Sequence, residues 1–221
     1  MAKQPEKHMT YYNIIDSFRE KGCPVCYLVD KSVNSFFNSF LFENVLDYGI
    51  GVKLKKSRGF CKEHAFKLIK YGDSLATAIT YSSLIEDLLD ELNKMSSAKS
   101  NIFNQKGICP VCEVVSESEE RYLNAFILYA KEDIFLEEYK KSKGMCVPHL
   151  KQLLLKCRDK KLLNKLIEIH IQFYKTLNEE LKEIIRKNDY RFSKEQWGEE
   201  KDAWIRAVEK FVGCHYKDDI K

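Results

Sequence analysis

The chain has 221 residues, with 37 Lys and Arg against 33 Asp and Glu, so its formal net charge is +4. Hydrophobic residues make up 44% of it, which excludes general disorder, and no apolar run approaches the roughly 18 residues of a transmembrane helix. Nine Gly and four Pro are too few for the many tight turns of a β-sandwich or barrel. The small positive charge permits a nucleic-acid partner but does not predict one.

The elements predicted in the first half of the chain are all helices. Apolar periodicity predicts a short helix over residues 10–22 and a long one over residues 26–48, which the glycines in residues 49–51 break. A further helix follows over residues 61–72, where glycine ends it. The next helix, over residues 73–92, has Asp73 or Ser74 as its N-cap.

The second half of the chain follows the same pattern after a polar stretch at residues 96–106, which we interpret as a linker. The helices predicted there cover residues 113–130, 133–143 and 149–157, then a long helix capped by Asp159, and a last helix that starts at a capping box of Ser193 and Gln196 and ends at Gly213. Because no run alternates like a strand, the predicted fold class is all-α.

Cysteine and histidine recur in the same order in both halves. Cys23-Pro-Val-Cys26 is followed by Cys61-x-x-His64, and Cys109-Pro-Val-Cys112 is followed at nearly the same distance by Cys146-x-x-His149. This repetition indicates an internal duplication. We therefore expect two related metal-clipped modules of three helices each, at residues 1–95 and 107–190, with the linker at residues 96–106 and a C-terminal helix and tail at residues 191–221.

Three thiolates and one imidazole per copy are the ligands of a closed tetrahedral zinc site. The spacing in C-x-x-H places both ligands on one face of the first turn of a helix. We thus expect two zinc ions per chain, with iron–sulfur clusters as the alternative on the same ligands. The candidate metal ligands are Cys23, Cys26, Cys61, His64, Cys109, Cys112, Cys146 and His149.

Two groupings of these ligands are compatible with the sequence. In the sequential grouping, each copy closes on its own ion, so that Cys23 and Cys26 share a site with Cys61 and His64. In the cross-braced grouping, the two Cys-Pro-Val-Cys units form one site and the two C-x-x-H units form the other. We favour the sequential grouping, because a duplication favours self-contained copies.

Several residues outside the repeat have an ordinary interpretation. Cys157 and Cys214 are expected to be core or surface thiols, with a third metal site or a redox pair as the alternative, and His170 is expected to be a packing or surface histidine with its hydrogen bonds satisfied. Trp197 and Trp204 are expected to anchor a core, with a place at a partner interface as the alternative. The Lys-rich runs before the two C-x-x-H units are expected to be solvated helix ends, with phosphate contact as the alternative.

The paired motifs resemble an uncharacterised prokaryotic family that is known only as a domain of unknown function. The resemblance rests on the two Cys-Pro-x-Cys units, on Gly-Phe-Cys-x-x-His-Ala at residues 59–65, on the helix at residues 73–90 and on the segment from Glu200 to Gly213. It covers most of the chain. It implies a cytosolic prokaryotic protein with metal-type ligands and implies no reaction.

The first residues of the chain contain no apolar segment of a secretory signal, so a cytoplasmic location is expected. The sequence has no phosphate-binding glycine loop, no nucleophile elbow and no zinc-protease or zinc-deaminase motif, which favours a non-enzymatic protein. We therefore expect an interaction or regulatory module with a protein partner and no membrane contact. An iron–sulfur or thiol redox protein is the first alternative, and a nucleic-acid-binding zinc protein is the second.

Overall fold

The computed structural model describes residues 7–95, 104–192 and 194–214. These residues contain ten α-helices and no strand, which confirms the all-α class. None of the described helices combines the length and the apolar character that a membrane crossing requires. The helices are α1 (Met9–Ser17), α2 (Pro24–Ser39), α3 (Tyr48–Ser57), α4 (Lys62–Lys70), α5 (Ser74–Asn93), α6 (Pro110–Tyr129), α7 (Asp133–Lys140), α8 (Val147–Lys156), α9 (Lys160–Lys187) and α10 (Ala203–Val212).

The described residues form two compact units that do not coincide with the two halves of the sequence. The first unit contains residues 7–29 and 119–214, without Ser193, and the second contains residues 30–95 and 104–118. The helices α2 and α6 each begin in one unit and continue into the other. Most of the expected linker, and Ser193 of the expected capping box, lie outside the described residues.

An aromatic cluster forms the core of the first unit. The rings of Tyr11 and Tyr129 lie 4.8 Å apart, and the same distance separates Phe126 from Tyr139, with the planes of both pairs close to perpendicular. Such edge-to-face pairs add to the free energy gained by burial. Phe135, which is fully buried, contacts several of these rings and so joins α1, α6 and α7.

A smaller aromatic cluster forms the core of the second unit. Phe37 and Phe40 lie near the end of α2 and are almost completely buried. Phe60 contacts both rings from the segment before α4, at centroid distances of 5.6 and 5.5 Å. Tyr71 closes the cluster from the end of α4, with its hydroxyl donating to Asn34.

The predicted break at residues 49–51 is wrong, because these residues lie inside α3. The side chain of Asp47 caps this helix by accepting a hydrogen bond from the Ile50 amide at 2.8 Å. The cap offsets the entropic cost of two glycines in the first turn. The interruption of the long helix instead follows Ser39, where a π-helical turn at Phe40–Asn44 replaces the α-helix.

The expected role of the two tryptophans as core anchors is also wrong. Trp197 lies outside any helix and is 50% exposed, and Trp204 lies on α10 and is 59% exposed. The large apolar residues of α10 are likewise exposed at the surface. By contrast, the expected caps Asp73 and Asp159 are confirmed, since each accepts from an amide in the first turn of its helix.

His170 is a buried histidine whose two ring nitrogens both have hydrogen-bond partners, as the interpretation as a packing histidine expects. Its Nδ1 lies 2.7 Å from the Leu166 carbonyl, which can only accept, so Nδ1 carries the proton. Its Nε2 therefore accepts from the Tyr139 hydroxyl at 2.9 Å, and this hydroxyl in turn accepts from the Met145 amide at 3.0 Å. This chain connects α9 to the segment that leads into Cys146.

His170 is expected to make stability depend on pH. Burial lowers the pKa of His170 to about 4, so the unfolded chain binds a proton that the folded chain excludes. As the pH falls from about 6.5 to about 4, this histidine should remove up to about 3 kcal/mol of the free energy of unfolding. Urea unfolding of the wild type and of His170→Gln across this range checks the prediction.

The variant has no imidazole at this position, so its free energy of unfolding should fall less steeply with decreasing pH. If the free energy of unfolding fell equally steeply with decreasing pH in the wild type and in His170→Gln, this result would contradict the lowered pKa of His170.

Candidate metal centres

All four ligand pairs lie at the start of a helix, in the same arrangement. The first ligand directly precedes the helix and the second is its third residue, as in Cys61 and His64 of α4. The carbonyl of each first ligand accepts the first hydrogen bond of the helix, from the residue four positions later. The positive end of the helix dipole therefore points toward both ligands, which favours thiolate at the cysteines.

The first centre combines Cys23 and Cys26 with Cys146 and His149, all in the first unit. The Nδ1 atom of His149 lies 3.5, 3.3 and 3.1 Å from the sulfur atoms of Cys23, Cys26 and Cys146. The sulfurs of Cys26 and Cys146 are 3.7 Å apart. All four side chains are buried.

The second centre combines Cys61 and His64 with Cys109 and Cys112, all in the second unit. The Nδ1 atom of His64 lies 3.1, 3.7 and 3.4 Å from the sulfurs of Cys61, Cys109 and Cys112. The sulfurs of Cys61 and Cys112 are 3.7 Å apart. His64 and Cys109 are buried, whereas Cys61 and Cys112 are partly exposed.

Each of the two donor sets fits one tetrahedral ion. Bond lengths of about 2.3 Å to sulfur and about 2.0 Å to nitrogen place tetrahedral ligand atoms about 3.8 Å apart for two sulfurs and about 3.5 Å apart for sulfur and nitrogen. The separations at both centres lie close to these values. Each centre supplies four protein ligands and so corresponds to a closed site.

The expected sequential grouping is wrong, and the cross-braced alternative does not describe the structure either. Each Cys-Pro-Val-Cys unit meets the C-x-x-H unit of the other copy. The reason lies in α2, which begins after Cys23 in the first unit and continues into the second unit at Asp30. The C-x-x-H unit that follows this helix in sequence therefore belongs to the second centre.

A carboxylate orients the histidine of the first centre. The Nε2 atom of His149 lies 3.1 Å from Glu119, so His149 donates there and leaves Nδ1 directed at the sulfurs. Gln152 donates to the other oxygen of Glu119 at 3.1 Å and fixes the carboxylate. Such carboxylate–histidine pairs strengthen metal ligands.

The closely spaced donors of the first centre shift the pKa values of His149 and of its partner Glu119. Burial alone would lower the pKa of His149, but interactions with Cys146, Cys23 and Glu119 raise it to about 12. The hydrogen bond to His149 lowers the pKa of Glu119. A metal ion bound by these donors would supply the positive charge that stabilises the thiolates.

The second centre lacks an equivalent carboxylate within the described parts of the chain. The position in the first copy that corresponds to Glu119 is Val33, which is buried and apolar. Burial lowers the pKa of His64 accordingly. Burial and the neighbouring Cys109 raise the pKa of the Cys112 thiol to about 12.

Lysine 210 supports the first centre from α10. Its side chain is buried, and its Nζ atom donates to the carbonyls of Gly144 at 2.7 Å and Met145 at 3.3 Å, and also to the Lys143 carbonyl. These carbonyls belong to the segment that enters Cys146. Lys210 and Glu119 were not among the candidates from the sequence, because their contacts to this centre join residues far apart in the chain.

Gly144 permits this segment to pack closely. Its φ of +71° lies in the left-handed region, and a Cβ atom there would come within 2.3 Å of the Phe173 ring on α9. Glycine is therefore required at this position for both backbone and steric reasons.

Ion pairs involve several cations of the Lys-rich runs. Lys53 pairs with Glu113 at 2.7 Å and Lys55 with Asp87 at 3.0 Å. Lys140 and Lys141 each pair with a glutamate one turn earlier in the sequence. These lysines thus have acidic partners within the chain, which favours the interpretation as solvated helix ends.

Comparison with known proteins gives a family without an assigned activity. A profile of the family of unknown function DUF6062 matches residues 6–218. The chain belongs to this family. A relative from Caldicellulosiruptor sp. (strain Rt8B.4), described as an uncharacterized 23.9 kDa protein in the xynA 3'region, is 32% identical over 203 residues, which cover 90% of this chain and 99% of that protein. No solved structure matches the chain.

Proposed function

We propose that this member of DUF6062 is a non-enzymatic zinc protein whose two Cys3His centres each tie distant parts of the chain together. The observation that carries the proposal is the pair of four-donor sets, each formed from two helix N-termini and each fitting one tetrahedral ion. Because all four positions come from the protein, neither centre offers the open position that a catalytic zinc keeps for water.

The separations between the sulfurs favour a single ion over an iron–sulfur cluster. In a 4Fe–4S cluster each ligand binds a different iron, and in a 2Fe–2S cluster the four ligands are bound two to each iron, so the inorganic core holds some of the four ligand atoms well apart. At both centres, by contrast, all four donor atoms lie within 4.8 Å of one another. The Cys26 and Cys146 sulfurs are 3.7 Å apart, and the Cys61 and Cys112 sulfurs are also 3.7 Å apart. These values are those of ligands on a common ion.

We further propose that the protein acts as an interaction or regulatory module with a protein partner. The exposed face of α10 supports this proposal. Trp204, Val208 and Phe211 follow one another at helical spacing, and each is more than half exposed, as is the adjacent Val212. An apolar helix face that contains tryptophan is typical of protein interfaces.

Anaerobic purification followed by metal quantification tests the zinc assignment. We expect about two zinc ions per wild-type chain, and about one in Cys109→Ser, because a closed site that loses one thiolate no longer holds its ion tightly. Cys157→Ser, which removes a thiol outside both centres, is the matched control and should retain both ions.

A brown protein that contains iron and sulfide would contradict the zinc assignment and support clusters. A colourless protein without bound metal, after purification under reducing conditions, would reject both assignments.

A further inference from the structure

A fifth sulfur borders the first centre. The Cys214 sulfur accepts a hydrogen bond from the Cys23 amide at 3.0 Å, and the Cys214 amide donates to the Cys26 sulfur at 3.4 Å. The thiols of Cys26 and Cys214 also interact directly. Cys214 is not one of the four donors that lie mutually within 4.8 Å, so five donors surround a place that fits an ion with four ligands.

A cavity of about 230 Å³ adjoins the same place. Its walls include the ligands Cys23 and Cys146 together with Cys214, but not His149. Cys214 therefore approaches the centre from the side on which Cys23 and Cys146 border the cavity. His149 has its own partner, Glu119, which does not line the cavity.

A buried cation accompanies this thiol. Lys210 precedes Cys214 by four residues and lines the same cavity. An ion with three thiolates and a neutral imidazole carries one negative charge, and a fourth thiolate would add another. Lys210 interacts electrostatically with Cys214, and its ammonium group would stabilise the additional charge, because opposite charges attract strongly where water is excluded.

We propose that Cys214 is a spare ligand of the first centre, which completes a four-sulfur set when the His149 imidazole is displaced. In this exchange the Cys214 thiol loses its proton, and a metal–sulfur bond replaces the metal–nitrogen bond. The released Nδ1 atom of His149 takes up the proton. The inference rests on the proposed metal binding, and it makes the two centres different, because no fifth cysteine adjoins the second centre within the described residues.

Removal of each histidine in the full-length protein tests the proposal. We expect His149→Ala to retain about two zinc ions per chain, because Cys214 takes the fourth position. His64→Ala is the matched control at the second centre and should retain about one ion, as should the double variant His149→Ala/Cys214→Ser. Cobalt-substituted His149→Ala should also show stronger sulfur-to-metal charge-transfer absorption than the cobalt-substituted wild type.

The metal contents of these variants distinguish a failure of the proposed zinc binding from a failure of the proposed role of Cys214. A wild-type chain without metal would reject the metal centres themselves. A wild type with both ions and a His149→Ala variant that loses one, like His64→Ala, would overturn the role of Cys214. Retention of both ions by the double variant would overturn it as well.

A second measurement keeps all four resident ligands in place, in case the histidine variant does not fold. Zinc transfer to a strong chelator is followed for the wild type and for Cys214→Ser. If Cys214 holds the ion whenever His149 dissociates, one of the two ions should leave Cys214→Ser several-fold faster than it leaves the wild type. Identical release from both proteins would contradict the proposal.

Discussion

Removal of zinc by a strong chelator under reducing conditions is expected to unfold the second unit and to lower the melting temperature of the first. A structural zinc contributes about 10–16 kcal/mol to the folding of small zinc-binding peptides. The net stability of a whole domain is about 5–15 kcal/mol. Loss of the ion can therefore consume the entire stability of a unit whose core is small.

The two units differ in what remains without metal. The first unit keeps an apolar core in which many side chains from α1 and α6–α9 are buried together. The core of the second unit is smaller. Its buried large apolar side chains, apart from the cysteines, are Val33, Phe37, Phe40, Leu54, Phe60, Leu68 and Val111. The second unit should thus depend more strongly on its ion.

Two spectroscopic signals distinguish the units. Both tryptophans, Trp197 and Trp204, lie in the first unit, so their fluorescence reports on that unit alone, whereas circular dichroism reports on all helices. After chelation, we expect a large loss of helical dichroism at a temperature where the tryptophan signal still shows a folded unit. Cys157→Ser should respond as the wild type does. An unchanged melting curve after complete metal removal would contradict the structural role of zinc.

The sequence identified the candidate ligands because their pattern is local. A cysteine before a helix and a second ligand on its third residue depend only on the geometry of one turn, which the C-x-x-C and C-x-x-H spacing encodes. The same holds for the caps Asp73 and Asp159, whose hydrogen bonds close within two or three residues. Short-range features of this kind can be predicted from the sequence.

The grouping of the ligands could not be predicted, because it depends on where the chain goes between them. Each Cys-Pro-Val-Cys unit meets the C-x-x-H unit of the other copy because of the course of α2 and α6. Each of these two helices begins at one centre and continues into the unit that contains the other centre. The contacts of Glu119 with His149 and of Lys210 with the segment before Cys146 also join distant residues. The glycines of α3 misled the prediction for a different reason, because the Asp47 cap that offsets their weak helix propensity is local and closes within three residues.

Paired cysteine substitutions are expected to show directly that each centre takes its ligands from both copies of the repeat. The variants are made in a Cys214→Ser background, so that the spare thiol cannot replace a missing ligand. Cys23→Ser with Cys146→Ser removes two ligands of the first centre, and about one of the two ions should be lost. Cys23→Ser with Cys61→Ser removes one ligand from each centre, and both ions should become labile.

The sequential grouping makes the opposite prediction for the same two proteins. There, Cys23 and Cys61 would serve one ion, and their joint substitution would leave the other ion untouched. Cys109→Ser with Cys61→Ser provides the matched pair at the second centre and should again remove about one ion. Metal quantification after equal exposure to a chelator of moderate affinity decides between the groupings. One result would contradict the grouping in the structure: Cys23→Ser/Cys61→Ser keeps one tightly bound ion, whereas Cys23→Ser/Cys146→Ser loses both. Each copy of the repeat would then bind its own metal ion, as in the sequential grouping.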